Sequence, residues 1–332
     1  MEDGARVDVD EYEKDSARDF ALWKAPKPGE ASWETPIGRG RPGWHIECSV
    51  MSMAELGPTF DLHAGGEDLI FPHHENEIAQ SESLTGQPFA RFWFHARFLL
   101  VEGEKMSKSL GNFFTIRDLV LKGHKPSSIR WLLTSVPYRN QLNFTFDGLK
   151  SAASSVEKLR NFRFRLTSAQ LTDGANPAIA QLATETVDRI KGALEDDLNT
   201  AQAQAAVFDM ARKANAALDS NEVHKDDVPA LLAALEKFDE IFDVLKDDDQ
   251  SKIKTIVEWA RTMGREKEAS PELLEIAGSA QLSDNQINEK ITEMEAARKS
   301  RNFKASDALR AELTSAGIVV ENTKDGVRWK RK

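Results

Sequence analysis

The chain has 332 residues, enough for about two domains with sizeable cores and no need of a disulfide or metal staple for stability. With 40% hydrophobic and 30% charged residues it reads as an ordinary soluble globular protein, which excludes collagen-like, disordered and coiled-coil classes. A net charge of -10 argues against a surface coated in basic charge for nucleic acid, a single cysteine excludes an internal disulfide framework and fits a reducing compartment, and no run of about eighteen apolar residues offers a membrane span.

The opening MEDGARVDVDEYEKD is acidic and lacks the apolar core of a secretory signal. Residues 12–24 (YEKDSARDFALWK) are expected to form a short helix with Phe20 and Trp23 on one side. Pro26, Pro28, Pro36 and Pro42, with several glycines, make residues 25–43 an extended loop. FDLHA and FWFHARFLLV read as strands, and HHENEIAQSESLTG between them as a helix closed by Gly86. Thr115 is the candidate cap of a segment running to 139. From about 147 the period becomes helical. Leu149, Ala152, Val156, Leu159, Phe162 and Leu166 step by three and four, as do Ile179, Leu182, Val187, Ile190 and Leu194. Asn199 or Thr200 caps the next helix, and Pro229 opens another through Leu235, Phe238, Phe242 and Leu245. This is the pattern of an antiparallel helical bundle. Residues 264–284 read as a linker with one weak helical turn, INEKITEMEAARKSRNFKASDALRAEL as a helical pair, and IVVE with VRWK as a hairpin.

Three clusters carry chemistry. Trp44-His45-Ile46-Glu47-Cys48 precedes His63-Ala-Gly65-Gly66-Glu67-Asp68, which leads into Pro72-His73-His74-Glu75-Asn76-Glu77. On a helix opened at Pro72, His73 and Glu77 share a face, whereas His74 at the same offset meets Ile78. Cys48 would complete a mixed S/N/O set that suits zinc. The bland alternative is a small buried thiol and a surface His/Glu pair. A H-E-x-x-H reading fails because the second histidine is missing. Gly65 and Gly66 allow close backbone approach to a ligand, and Asp68 is placed to accept ribose hydroxyls, although two glycines more often mark only a turn. No Walker-type phosphate loop is present. Lys105-Met106-Ser107-Lys108-Ser109-Leu110-Gly111 is a compact cationic loop able to meet charge developing on a departing pyrophosphate. Its bland alternative is a solvated basic turn.

These residues resemble a known family. KMSKS at 105–109 is similar to the signature loop of class I aminoacyl-tRNA synthetases. GWHIECS at 43–49, HAGGEDLIFPHHENEIAQSE at 63–82, KMSKSLGNFFTIRD at 105–118, DDLNTAQA at 196–203 and the ending DALRAELTSAGIVVENTKDGVRWKRK together resemble cysteinyl-tRNA synthetases over essentially the whole chain. The resemblance implies an α/β fold: the C-terminal half of a Rossmann-like catalytic domain, then an α-helical bundle, then a small α+β anticodon domain. It implies ATP-dependent activation of cysteine to cysteinyl-adenylate and transfer to tRNA(Cys). Lys108 is then the ATP-contacting lysine with Lys105 assisting, Gly65, Gly66 and Asp68 lie on the adenosine side, and Trp44 and His63 line the amino-acid pocket. Cys48, His73 and Glu77 become ligands of one zinc ion, whose coordination separates a thiolate from serine's hydroxyl better than an apolar pocket separates one methylene. ATP enters as substrate with Mg. The partners implied are tRNA(Cys), cysteine and ATP, with no DNA and no membrane, in a cytoplasmic monomer. For tRNA, Arg298, Arg301, Arg310 and the terminal RWKRK offer phosphate partners, and Trp329 either stacks on a base or belongs to a core.

The sequence departs from the family pattern in having no H-x-G-H and no second cysteine for the fourth zinc position. Both would lie further toward the N-terminus, so the expectation is an N-terminally truncated synthetase. The expected domains are 1–43, end of a connective region and linker; 44–146, catalytic half with the lysine loop; 147–263, tRNA-binding bundle; 264–284, linker; and 285–332, anticodon domain. Two other readings compete: a non-catalytic tRNA-binding fragment, and an ATP-dependent cysteine:amino-sugar ligase. The second is disfavoured because a small-molecule ligase needs no anticodon module. The missing motif and the missing second cysteine predict that the isolated 332-residue chain neither catalyses cysteine-dependent ATP–pyrophosphate exchange nor holds zinc tightly. Radiolabelled pyrophosphate incorporation checks this, and any cysteine-dependent signal would defeat it.

Overall fold

The computed structural model describes residues 19–278, 282–323 and 326–331. The chain divides into two compact units, Met1–Phe98 with Tyr138–Gln141 and Leu99–Pro137 with Leu142–Lys332. The division thus runs inside the expected 44–146 segment rather than at its ends.

In the first unit, β1 (Trp23–Lys24) pairs antiparallel with β2 (Arg41–Pro42). The expected helix over 12–24 is therefore not formed in its described part, and residues 12–18 lie outside the described residues. Long-range pairing overrides the local pattern: the Trp23 indole donates to the Gly38 carbonyl and Gly43 N–H to that of Leu22. Helix α1 (Trp44–Leu56) ends at Gly57, whose φ of 88° lets its N–H reach the Met53 carbonyl. Strand β3 (Phe60–Gly66), helix α2 (Glu75–Thr85) and strand β4 (Ala90–Ala96) form a parallel βαβ unit with Leu62 opposite Phe92 and His63 opposite Trp93. Gly86 closes α2 in the left-handed conformation, as its position in the sequence anticipates. Helix α2 starts at Glu75, not Pro72. A wider turn over Ile70–His74 leads into it, because Phe71 is extended. Phe60, Phe89 and Ala90 form a small core, with Met53 and Trp93 packed against it.

The second unit opens with β5 (Leu100–Val101), flanked by β6 (Glu104–Lys105), antiparallel, and later by β7 (Asn143–Phe144), parallel. The expected strand FWFHARFLLV is thus split, its two ends serving different sheets. Helices α3 (Ile116–Leu121) and α4 (Pro126–Leu133) replace the single segment expected from Thr115, because Gly123 at φ 98° turns the chain between them. Thr115 and Asp118 form a reciprocal capping box on α3.

The bundle follows as α5 (Phe146–Ser168), α6 (Pro177–Glu195), α7 (Thr200–Asp219) and α8 (Val228–Phe242). In α5 the buried stripe is the one read from the sequence, Leu149 through Leu166. In α6 it is rotated: Ile179, Ala183, Thr186, Ile190 and Ala193 are buried, while Leu182, Val187 and Leu194 are only partly so. Small residues face the core there because α7 is itself lined by Ala203, Ala206, Ala211 and Ala214, which bring the helices close. The Asn199 side chain caps α7 by accepting from Gln202 N–H at 3.1 Å.

Helix α9 (Asp249–Thr262) and helix α10 (Pro271–Gly278) complete this part. The expected linker 264–284 is packed where it is described, with Ala269, Leu273 and Ala277 buried. Helix α11 (Asp284–Lys299), α12 (Phe303–Ser315) and the antiparallel hairpin β8 (Ile318–Thr323) and β9 (Gly326–Arg331) close over their own core of Ile287, Ile291, Met294, Leu313, Ile318 and Val320.

One buried ion pair ties α4, α5 and α9 together. Asp249, 1% exposed, accepts from Arg160 Nη1 at 2.8 Å, Ser127 Oγ at 2.7 Å and Ser127 N–H at 2.9 Å. Burial pushes its carboxyl up, but the Arg160 charge and the Ser127 hydrogen bonds outweigh that and hold it below the usual carboxylate range. A depressed folded-state value contributes stability above the unfolded value and loses it as pH falls. Asp249→Asn is therefore expected to destabilise the chain by about 3 kcal/mol near neutral pH. The gap from wild type should close as pH drops below about 4. Denaturant unfolding of both proteins across pH measures it.

Candidate functional site

Cys48 sits on α1 between the buried residues His45 and Ser49. His73 and Glu77 come from the turn into α2 and from its first turn, four residues apart. The Cys48 Sγ, one ring nitrogen of His73 and one carboxylate oxygen of Glu77 lie within 4.8 Å of one another. The fold thus brings together the His73–Glu77 pair chosen by spacing and the Cys48 thiol added by its donor chemistry.

Glu77 is wholly buried. Its Oε2 lies 2.8 Å from His63 Nε2, while its Oε1, 3.5 Å from His73 Nε2, has no hydrogen-bond partner among the described residues. An uncompensated carboxylate oxygen in a buried setting is costly, and a cation bound beside it relieves that cost. His45 Nδ1 and His73 Nδ1 are 2.8 Å apart. With His73 donating there, its Nε2 lone pair is left on the side of Glu77 and open to a metal. Burial, then Glu77 and Glu47, push the Cys48 thiol above its ordinary value. Burial, with His63 adding to it and Glu77 opposing, lowers His73. A soft sulfur, a neutral imidazole and an orphaned carboxylate oxygen fit a zinc-like dication.

A second group shares Glu77: His63, His74 and Glu77 also place ligand-type atoms within 4.8 Å of one another. His74, set aside in the sequence because Ile78 follows at four residues, approaches Glu77 at three instead, with Nε2 4.0 Å from Oε2. Its Nδ1 is 2.7 Å from His95 Nε2. Burial first, then His63, His95 and His73, bring His74 down to about 4. Of the array His45, His63, His73, His74 and His95, spacing singled out His73 and the family resemblance His63, while the contacts of His45, His74 and His95 depend on the fold. His63, expected at the amino-acid pocket, is the hydrogen-bond partner of Glu77. Trp44, 44% exposed, packs its ring 4.5 Å from that of His73. Gly65 must be glycine for a steric reason: a Cβ there would lie 2.8 Å from His74 Cε1. Gly66 ends β3, and Asp68 follows in an exposed turn.

The lysine loop belongs to the second unit. Lys105 and Lys108 are both exposed. The Asn112 amide knots the loop, accepting from Ser107 N–H at 2.8 Å and donating to the Lys105 carbonyl at 3.1 Å. The Lys108 ammonium lies 5.6 Å from the Phe113 ring centroid.

Of the residues expected to meet tRNA, Arg310 donates to the Val320 carbonyl at 2.8 Å and so ties α12 to β8. Half-buried Trp329 packs on the C-terminal core and donates to Asn288 Oδ1 at 2.8 Å, which favours its structural role. Arg301 occupies the tight turn between α11 and α12 at φ 61°, and Arg298 sits in the last turn of α11. Lys332 and the side chains of Arg328, Lys330 and Arg331 lie outside the described residues. No helix among the described residues is long and apolar enough to cross a membrane.

The family model described as tRNA synthetases class I (C) catalytic domain matches residues 1–154, and that of the DALR domain matches residues 189–246. The cysteine–tRNA ligase of Koribacter versatilis (strain Ellin345) is 65% identical over the whole chain, which covers 67% of that relative. The chain belongs to the cysteine–tRNA ligase family. The ligases of Solibacter usitatus (strain Ellin6076) and Chlamydia muridarum (strain MoPn / Nigg) are 53% and 41% identical over 99% and 100% of the chain, which covers 65% and 66% of them. The chain therefore spans about two thirds of the length of these curated ligases. A class I catalytic part followed by a helical domain is the order expected from the motifs. Residues 155–188 and 247–332 of this cysteine–tRNA ligase family member fall outside both matched models.

Because the Cys48 thiol is raised, little thiolate exists near neutral pH. In metal-free chain, iodoacetamide is expected to alkylate Cys48 more slowly than free glutathione at pH 8, with the rate still climbing above pH 9. Since Cys48 is the one cysteine of the sequence, mass spectrometry of the whole chain reads the reaction directly.

Proposed function

We propose that this chain contributes to the ATP-dependent joining of cysteine to tRNA(Cys), a reaction it does not complete alone because it carries no H-x-G-H, with Cys48, His73 and Glu77 as its protein ligands to one zinc ion. The observation that carries the reading is a wholly buried Glu77 whose Oε1 makes no hydrogen bond of ordinary geometry, with a thiol and an imidazole beside it. Zinc bound there supplies a soft Lewis acid that takes a substrate thiolate well and a serine hydroxyl poorly. The protein's own groups do the rest. His63 orients the Glu77 carboxylate through its Nε2, and His45 does the same for His73 through their Nδ1 contact. The exposed part of Trp44 walls the amino-acid side.

In the second set of roles, the backbone of Gly65 and Gly66 is assigned to the adenosine side, and Asp68, whose Oδ1 fills the place of a Cβ on Gly66, accepts from the ribose. The cysteine carboxylate attacks the α-phosphorus of ATP, carried with Mg, and the bond to pyrophosphate breaks. Negative charge on the departing pyrophosphate meets the ammonium groups of Lys108 and Lys105, which charge-balance a leaving group without forming a bond. A hydroxyl of the terminal adenosine of tRNA(Cys) then takes the cysteinyl group and AMP leaves. The helical bundle and the domain of α11, α12, β8 and β9 are assigned to tRNA, with Arg298 and Arg301 as phosphate partners. The chain is proposed to act as a cytoplasmic monomer.

Cobalt(II) reports directly on the ligand set. Titration of the metal-free chain is expected to give a sulfur-to-cobalt charge-transfer band of one-to-one stoichiometry. Cys48→Ser should abolish that band, and Glu77→Gln should weaken binding about 10-fold to 100-fold. Added cysteine should intensify the band while serine leaves it unchanged. A cobalt complex with no sulfur band in the wild-type chain would defeat the reading.

A further inference from the structure

Helix α9 lies beyond the DALR match, yet it grips the segment that follows the lysine loop. Its Trp259 ring carries a guanidinium at each of two places: Arg117 Cζ is 4.4 Å from the ring centroid and Arg265 Cζ is 5.2 Å from it. Arg117 belongs to α3, the first helix after the loop. Arg265 follows α9 and donates from Nη2 to Asp118 Oδ1 at 2.7 Å, while Glu268 accepts from its Nε at 3.0 Å and its Nη2 at 2.7 Å. The other Asp118 oxygen accepts from Thr115 N–H at 2.9 Å and Thr115 Oγ1 at 2.7 Å. One carboxylate thus holds both the cap of α3 and the arginine stacked on Trp259. Below it, Leu121, Ala260 and Ala269 form a separate buried cluster, and Ser270 N–H donates to the Leu121 carbonyl. At its other end α9 holds the first turn of α4 through the Asp249 contacts to Ser127.

We propose that α9 and the turn after it act as a brace for the lysine loop, with Trp259 and Arg265 as positioning residues that fix where the loop rejoins the fold at Thr115. The two lysines of the loop are exposed, while the Asn112 amide, the Ser107 hydroxyl, which accepts from Leu110 N–H at 3.2 Å, and half-buried Met106, packed on the core, hold its backbone. Its ammonium groups keep a defined location only if the chain leaving Asn112 is anchored. Beyond that knot the Phe114 ring packs against the core and lies 5.6 Å from that of Phe146, and the Thr115 cap is the next attachment, the one that fixes the backbone as it enters α3. Thr115 holds one Asp118 oxygen by two hydrogen bonds, and Arg265 fixes the other with a charged donor, so the carboxylate is held from both sides. Trp259 keeps Arg265 in place and takes Arg117 on the same ring, which adds a second hold on α3.

The inference rests on the nucleotide-handling role proposed for the loop, but its test uses no nucleotide, so the two fail separately. The full 332-residue chain is digested with trypsin under native conditions, following cleavage after Lys105 and Lys108, and amide exchange is measured over residues 104–121. Trp259→Ala and Arg265→Ala should each speed both by about tenfold, with amides of α5 and α7 unchanged. Trp259→Phe, which keeps a ring for the guanidiniums, should restore wild-type behaviour. Arg265→Lys, which keeps the charge without the fork, should fall between. Should an alanine variant not fold, Trp259→Leu and Arg265→Gln are compared in its place. Loop cleavage and exchange that stay at wild-type rates, or that rise only in step with α5 and α7, overturn the proposal, as does failure of Trp259→Phe to restore them.

Discussion

A carboxylate with no access to water organises the first unit. Glu77 is fully buried, and its two oxygens have unequal fates: one meets His63 at 2.8 Å, the other has no hydrogen-bond partner among the described residues. The same burial raises the Cys48 thiol and brings His74 down to about 4, so the surroundings favour neutral forms. A dication reverses that preference in one step, because it compensates the carboxylate and stabilises a thiolate together. The elements α1, β3 and α2 are arranged so that their polar side chains converge on this point. The apolar core of the unit, Phe60, Phe89 and Ala90, is small beside it.

The second unit solves a different problem, that of presenting exposed charge from a firm support. Lys105 and Lys108 are exposed, so their ammonium groups are accessible to an anion. Support comes from beneath, where Thr115 caps α3 and Gly123 turns the chain toward α4. It extends into the bundle through Asp249, whose carboxylate is shared by Ser127 and Arg160. A continuous core from Val101 through the bundle helices to Leu273 and Ala277 gives that support its stiffness. The domain of α11, α12, β8 and β9 buries a core of its own, and Arg310 and Trp329 serve that core through hydrogen bonds to Val320 and Asn288.

How legible each feature was depends on how local its cause is. The α5 stripe is buried as its three- and four-residue steps imply, because a long amphipathic helix has one way to hide its apolar face. The α6 stripe is rotated toward Ala183, Thr186 and Ala193 where the facing core is lined by alanines of α7, and a single helix carries no record of its neighbour's side chains. Trp23 lies in a strand although its neighbours look helical, since its partner Pro42 is far along the chain. At the metal-type cluster, the His73–Glu77 pair follows from helical spacing, whereas the role of His63 as partner of Glu77 depends on β3 lying beside α2.

The sequence by itself determined the motifs, their order and the residue types: one thiol, a histidine-rich stretch, a glycine pair and a two-lysine loop, enough to identify the family and its chemistry. Tertiary structure alone decided which oxygen of Glu77 is left without a partner, which histidine orients which neighbour, and that Trp259 and Arg265 meet Arg117 and Asp118 across more than a hundred residues of chain. The physical reason is that spacing constrains contacts within one element, where backbone geometry is regular. Burial and long-range pairing arise only when several elements exclude water from the same place.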